Sequence, residues 1–363
     1  MKKNIVFFSA VIGLVLAVNS CRTFEFHSRG TYQLPVNYDE PNAYRTGKID
    51  TFVREIVESG EFGGYARRDP QEYINLVAFH IKTNSKNDFE RVKRAHDFVI
   101  DYLDFDLKTF RSKRGRATKR QDAESIVISG RAVGQGYSNL FKAVCDAMSI
   151  PCETINGYVR GIDFTPFDKK EFKKEKSNGQ WNAVQINGNW YLVDVFWDAG
   201  NGVKEKQGLF EKIFWYDEYS TEYLFVNPQY FIYTHVPANL NYELLEYIVR
   251  PEDFLHLPYQ RPEYFETVAQ LSPHLTKEFE VHNNVLSLSY VLKDKYELEF
   301  AVFDKTGKKD LSKTQKFFEK KQTKRNSTQY YFNRRGTYIL RIYFRESYHA
   351  GKKYLAECGL IVR

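Results

Sequence analysis

The sequence predicts an α+β chain of two domains, with helices and an antiparallel sheet first and a strand-rich region last. Apolar residues recur at three- and four-residue steps between Asp69 and Met148, the spacing of one helix face. After about residue 275, short alternating runs separated by turn residues take over. The apolar material is mostly rings, 29 Phe and 26 Tyr against 2 Met, which suits strand-rich cores and reads as packing.

Residues 1–20 read as a secretory signal. Lys2 and Lys3 precede an apolar run from Ile5 to Val18 that is too short to span a bilayer. Leu16-Ala17-Val18-Asn19-Ser20-Cys21 is similar to a lipobox, which implies cleavage before Cys21 and its acylation. The polar Asn19 leaves ordinary signal-peptidase cleavage open. The chain is therefore expected in the cell envelope, periplasmic or surface-exposed, membrane-anchored through Cys21. Loss of Lys2 and Lys3 would lower the net charge from +7 to +5, a moderate value that gives no reason to expect nucleic acid.

Residues 21–48 are polar, contain Pro35 and Pro41 and read as a tether. Asp69-Pro70 with Glu72 predicts a capped helix carrying Tyr73, Leu76, Val77 and Ile81 inward. A second helix is expected over 88–103, with Phe89, Val92, Ala95, Val99 and Tyr102 on one face. Seven basic residues crowd positions 108–120 and read as a solvated loop, with contact to anionic lipid or glycan as the sharper alternative. A third helix is expected over 135–148. Strands follow at 154–159, 181–186 and 190–196, the last two joined by the hairpin signal Asn187-Gly188. The lysine-rich stretch 169–176 reads as a solvated loop. Beyond 275, the segments 278–282, 286–292, 296–303, 330–332, 338–344 and 354–361 predict a small antiparallel β-sandwich of immunoglobulin-like type.

Three blocks carry the chemistry. They are Ser129-Gly130-Arg131-Ala132-Val133-Gly134-Gln135-Gly136-Tyr137-Ser138, then Gly179-Gln180-Trp181-Asn182-Ala183-Val184, then Trp190-Tyr191-Leu192-Val193-Asp194-Val195-Phe196-Trp197-Asp198. Together they resemble the transglutaminase-like superfamily of papain-type Cys-His-Asp enzymes. The run Glu222–Pro237, with Leu244-Leu245 and Pro251-Glu252-Asp253-Phe254, resembles the kyphoscoliosis-peptidase branch, which carries an immunoglobulin-like region after its core. The resemblance implies a papain/transglutaminase-like domain over 49–272 and a sandwich over 275–363.

It also implies a nucleophilic cysteine opening a helix, where the helix N-terminus lowers its pKa, and a strand histidine oriented by an aspartate. Those roles fall here on Gly134, Gly179 and Asp194, and only Asp194 carries a reactive group. Cys145 lies eleven residues past Gly134, about 16 Å along a helix. Ser138 is one turn from Gly134 but has no histidine beside it in sequence. No histidine lies between His96 and His235, and His235 reads as a packing or capping residue.

The expectation is a catalytically degenerate module that binds an envelope protein, a peptide or a peptidoglycan-type glycan. Gln135, Tyr137, Ser138, Trp181, Asn182 and Trp197 would line its groove. The alternatives are a cysteine-independent amide hydrolase or transamidase using Ser138 and Asp194, and a purely structural envelope protein. The eight histidines and four cysteines show no ligand spacing, so no metal or cofactor is expected. Cys145 and Cys152 either pair or remain two buried thiols.

Overall fold

In a computed structural model, the described residues are 38–58, 63–112, 119–160, 166–167, 176–207, 210–293, 297–312, 317–320, 325–345 and 352–363. The expected signal, Cys21 and most of the tether lie outside them, as do most of the stretch 169–176 and the centre of the basic loop. The chain divides into two compact units; of the described residues, 38–160 and 176–251 form the first, and 166–167 with 252–363 form the second.

The first unit opens with helices α1 (Asp39–Asn42), α2 (Thr51–Glu58), α3 (Gly63–Arg68), α4 (Pro70–Asn84) and α5 (Asp88–Tyr102). The side chain of Asp69 accepts from Glu72 N–H at 3.0 Å, and that of Asn87 accepts from Glu90 N–H at 3.0 Å. Each satisfies a backbone donor that the first turn leaves free, worth about 1 kcal/mol. Next come β1 (Asp104–Phe105), α6 (Leu107–Arg111), α7 (Ala123–Ser129), β2 (Arg131–Ala132) and α8 (Gly134–Ala147). β1 and β2 pair in parallel.

Helix α8 packs against α4 and α5 on one side and against the sheet on the other. Leu140, Phe141 and Val144 on α8 are fully buried, so truncating Phe141 to Ala would cost about 3–5 kcal/mol. The sheet comprises β3 (Cys152–Val159), β4 (Gly179–Ile186), β5 (Asn189–Val193), β8 (Leu224–Val226) and β9 (His235–Pro237), in the order β8-β5-β4-β3-β9. All neighbours are antiparallel. Asn187 and Gly188 turn the β4–β5 hairpin with φ of 51° and 81°, the left-handed pair that such a two-residue loop needs. β4 divides two apolar clusters. Val184 and Ile186 join the helices, whereas Trp181 and Ala183 join Ile155, Leu192, Tyr223 and Phe231.

The expected strand over 190–196 stops at Val193. Asp194 caps a short helix, α9 (Val195–Ala199), by accepting from Trp197 N–H at 3.0 Å. A hairpin that the sequence pattern did not announce follows, β6 (Gly200–Gln207) paired with β7 (Phe210–Asp217).

The second unit contains two sheets. One runs β10 (Tyr259–Gln260), β18 (Lys353–Val362), β17 (Gly336–Arg345), β14 (Glu297–Asp304), with β12 (Glu278–Val281) added to β18. The other runs β11 (Val268–Ser272), β13 (Val285–Leu292), β16 (Asn326–Tyr331), β15 (Phe318–Lys320). Leu286, Leu288, Phe300, Val302, Leu340, Ile342 and Leu360 form its core. Two details depart from the expected sandwich. β12 pairs with β18 in parallel, and β10 and β11 precede residue 275. Among the described residues, no helix is long and apolar enough to cross a membrane.

Candidate functional site

Gly134 opens α8, as the resemblance implies for the nucleophile position. Its N-cap, Val133, is extended and gives the helix no side-chain cap. The positive end of the helix dipole therefore stands here uncompensated by a capping side chain. The ring of Phe196 covers the spot. A Cβ built on Gly134 would lie 3.1 Å from Phe196 Cδ1 and 3.3 Å from Cγ. Phe196 stacks on Trp215 with centroids 5.1 Å apart and planes 14° apart, and it also contacts Phe105 at 5.2 Å and Tyr137 at 5.4 Å. Phe105, Phe196 and Trp215 are half-buried, so this cluster is both a roof over Gly134 and part of the surface.

Gly179 begins β4, and its space is occupied too. A Cβ there would lie 2.5 Å from Val159 Cγ1 and 3.1 Å from Cγ2. The three atoms nearest such a Cβ all belong to Phe196 at Gly134 and all belong to Val159 at Gly179.

Asp194 is the chemically competent member of the three, and it is engaged elsewhere. Its Oδ2 lies 3.2 Å from His235 Nε2, while Oδ1 caps α9. His235 is fully buried, and its Nδ1 lies 2.7 Å from Thr234 Oγ1. Burial pushes the imidazole below its usual pKa, and the hydrogen bond and charge of Asp194 offset this only in part. Burial therefore favours the neutral ring, whose Nε2 faces the Asp194 carboxylate. Phe231 stacks on it at 4.0 Å, and Trp197, Trp181 and Tyr223 surround it at 4.6, 5.1 and 5.5 Å. Reading His235 as a packing or capping residue therefore missed half its role: it packs, and it also holds Asp194. The register of β9 on β3, with Val159 opposite His235, brings it there. No local motif announces that long-range pairing.

The expected groove residues are mostly interior. Tyr137, Ser138, Trp181 and Asn182 are buried, Trp197 is half-buried and Gln135 alone is exposed. Tyr137 donates to Leu103 C=O at 2.9 Å, and Asn182 Nδ2 donates to Ser138 C=O at 3.2 Å. The structure therefore corrects four of the six as groove-lining contacts: they are interior, Tyr137 tying α8 to the end of α5 at Leu103 and Ser138 and Asn182 tying α8 to β4. Ser138 Oγ donates to Trp181 C=O at 3.3 Å and accepts from Gln180 Nε2 at 3.4 Å. Neither partner is a base, and Asp194 is not among them.

A second buried histidine–aspartate pair, also unannounced by sequence, flanks the first. Asp198, one turn after Asp194 on α9, lies 3.1 Å from His96 Nε2, and His96 Nδ1 lies 3.1 Å from Asp97 Oδ1. Lys93 pairs with Asp97 and donates to Lys48 C=O at 2.9 Å, while Tyr219 Oη donates to Asp97 at 2.6 Å. Burial alone would push His96 down, but the bonds and charges of Asp198 and Asp97 outweigh it and raise its pKa. Burial would push Asp97 up, but His96 and Lys93 hold it low. This network ties α5 to the 45–50 segment and the 219–223 loop, where Arg45 bonds the carbonyls of Thr221 and Glu222. Among the described residues, no group of three or more His, Cys, Asp or Glu side chains is arranged to hold a metal ion.

Residues 76–195 match the model of the transglutaminase-like superfamily. Among curated proteins, it is 27% identical over 201 residues to kyphoscoliosis peptidase of Mus musculus, covering 55% of this chain and 28% of that protein. It is 30% identical over 205 residues to hillarin of Drosophila melanogaster, covering 55% and 24%. The chain thus spans about a quarter of the length of these relatives. A crystal structure of a TGase aligns with 12% identity and a TM-score of 0.27, covering 47% of this chain and 41% of that one.

Proposed function

We propose that the transglutaminase-like domain is a non-catalytic binding module of an exported, lipid-anchored envelope protein, and that its ligand is a peptide or peptidoglycan-type chain. The observation that carries this reading is the replacement of reactive groups by apolar ones. Phe196 roofs the glycine at the helix start, Val159 fills the space beside Gly179, and a buried histidine holds Asp194. A thiol–imidazole site needs nucleophile and base within hydrogen-bond reach, and two glycines supply neither. The peptidase named among the relatives is therefore not the activity assigned to this chain.

The half-buried rings of Phe105, Phe196 and Trp215, with exposed Gln135 and Tyr216 nearby in sequence, offer stacking area next to polar groups. Anchoring through Cys21 would hold this face near envelope material. Titration of the natural protein with muropeptides, followed by calorimetry, tests the proposal. Saturable binding that falls at least tenfold in Phe196→Ala or Trp215→Ala supports it. No binding at millimolar ligand, or binding indifferent to both substitutions, overturns it.

A further inference from the structure

Both ends of the β6–β7 hairpin are fastened to one buried cluster. Asp198 lies two residues before β6 begins, and Tyr219 lies two residues after β7 ends. His96 Nε2 lies 3.1 Å from Asp198 Oδ2, and Tyr219 Oη donates to Asp97 Oδ1 at 2.6 Å. Ser220 ties the two ends to each other: its N–H donates to Asp198 C=O at 2.8 Å, and its hydroxyl donates to the Asp198 carboxylate. The first rung of the hairpin pairs Gly200 with Asp217. Gly200 leaves no room for a side chain, since a Cβ there would fall 2.3 Å from Tyr216 C=O and 2.9 Å from Trp215 Cζ2. The two ends also carry the roof over Gly134, Phe196 on α9 and Trp215 on β7, with the rings stacked at 5.1 Å.

His96 sits at the centre of this cluster with no exposed surface. Each ring nitrogen is 3.1 Å from a carboxylate oxygen, Nδ1 from Asp97 and Nε2 from Asp198. Only the imidazolium donates from both nitrogens. The charged and titratable groups around it are Asp97 and Lys93 of α5, Asp198 of α9, and Tyr219. Asp50 joins them from the 45–50 segment, its N–H donating to Asp97 and its carboxylate pairing with Arg94. His96 and Lys93 as cations balance Asp97 and Asp198. Loss of the ring proton leaves one buried negative charge unbalanced and one carboxylate facing a lone pair.

We propose that His96 is a positioning residue and a pH-sensitive latch for the roof. As the imidazolium it clamps both ends of the hairpin and so holds Phe196 and Trp215 over Gly134. Its deprotonation frees the roof while the α8 core stays folded. Burial alone would push the His96 pKa down, but the bonds and charges of Asp198 and Asp97 outweigh it and hold the proton above the usual histidine range. The latch is therefore closed at pH 6 and opens toward pH 9.

Hydrogen exchange of the full chain, corrected for the intrinsic rise of exchange with pH, tests the latch. It needs no ligand, so its outcome is separate from that of the muropeptide titration. Peptides covering 196–200 and 215–223 are read at pH 6 and pH 9 beside one covering 140–144 of α8. Between these values the wild-type chain should lose at least tenfold of its protection in the first two and little in the third. His96→Gln, which cannot carry the charge, should show low protection in both at either pH. Ring-nitrogen NMR of the wild-type chain, which needs no variant, should find His96 as the imidazolium at pH 7, titrating in step with the exchange. Flat protection in the wild type, a slope kept in His96→Gln, or a neutral His96 at pH 7 overturns the proposal. So does an equal loss in 140–144, because His96 would then only stabilise the whole unit.

Discussion

Oδ2 of Asp194 lies 3.2 Å from Nε2 of His235, a contact spanning 41 residues of chain. The carboxylate that the resemblance assigns to orienting a strand histidine at Gly179 orients instead a histidine on β9. That ring is enclosed by Phe231, Trp181, Trp197 and Tyr223 and has no exposed surface. The pair has therefore become part of the packing between sheet and α9.

Removing one partner leaves the other buried and unsatisfied, which costs more than the bond itself is worth. His235→Ala should lower the unfolding free energy by about 3–5 kcal/mol, a cavity and an orphaned carboxylate together. Asp194→Asn, which keeps an acceptor for Trp197 N–H, should cost less than Asp194→Ala, which also removes the α9 cap. Urea denaturation of the three variants checks the order.

The two histidines should give stability opposite dependences on pH. His96 has a raised pKa in the fold, so its contribution is full below the unfolded value of about 6.5 and is lost as pH rises through the folded value. His235 has a lowered pKa, so its contribution is present above about 6.5 and is lost as pH falls through the folded value. Asp97, held low, adds a loss at acid pH below the usual carboxylate range. The wild-type advantage over His96→Gln should shrink from pH 6 to 9, and that over His235→Gln should shrink from pH 7 to 5. Denaturant midpoints across that range measure both slopes.

Phe196 should behave as a lid on the helix start. A Gly134→Cys thiol is expected to titrate below the free value of about 8.5, because the α8 N-terminus favours the thiolate. Its alkylation by iodoacetamide should be slow while Phe196 is present and at least tenfold faster in the Gly134→Cys, Phe196→Ala double variant. The pH profile of the rate reads the thiol, and the ratio reads the lid.

Val159 should block the base position. Gly179→Ala places a methyl 2.5 Å from Val159 Cγ1, an overpacking worth about 1–3 kcal/mol. Val159→Ala in the same chain should recover much of that loss. A double-mutant cycle measured by thermal unfolding should give a coupling above about 1 kcal/mol.

Local rules made part of this legible in advance. Asp69 and Pro70 announce α4, Asn187-Gly188 announces the β4–β5 turn, and the motif blocks place Gly134 at a helix start and Gly179 on a strand, whereas the short helix that Asp194 caps was not announced. What sequence hid depends on distant pairings. His235 reaches Asp194 only through the register of β9 on β3, and His96 meets Asp198 across 102 residues. The burial of Tyr137, Trp181 and Asn182 was equally hidden, because an aromatic or amide beside a motif reads alike whether it lines a groove or fills a core. β12 escaped as a parallel strand because alternation fixes which face is buried and says nothing of direction.

The most direct test of the central claim is turnover by the natural chain, assayed for amide hydrolysis and amine transfer beside a Gly134→Cys, Gly179→His, Val159→Ala variant. The account predicts that the natural chain shows no turnover above buffer, whatever the variant does. Turnover by the natural chain that disappears on Ser138→Ala would contradict it, and would mean that a buried serine bonded to a backbone carbonyl is the nucleophile after all.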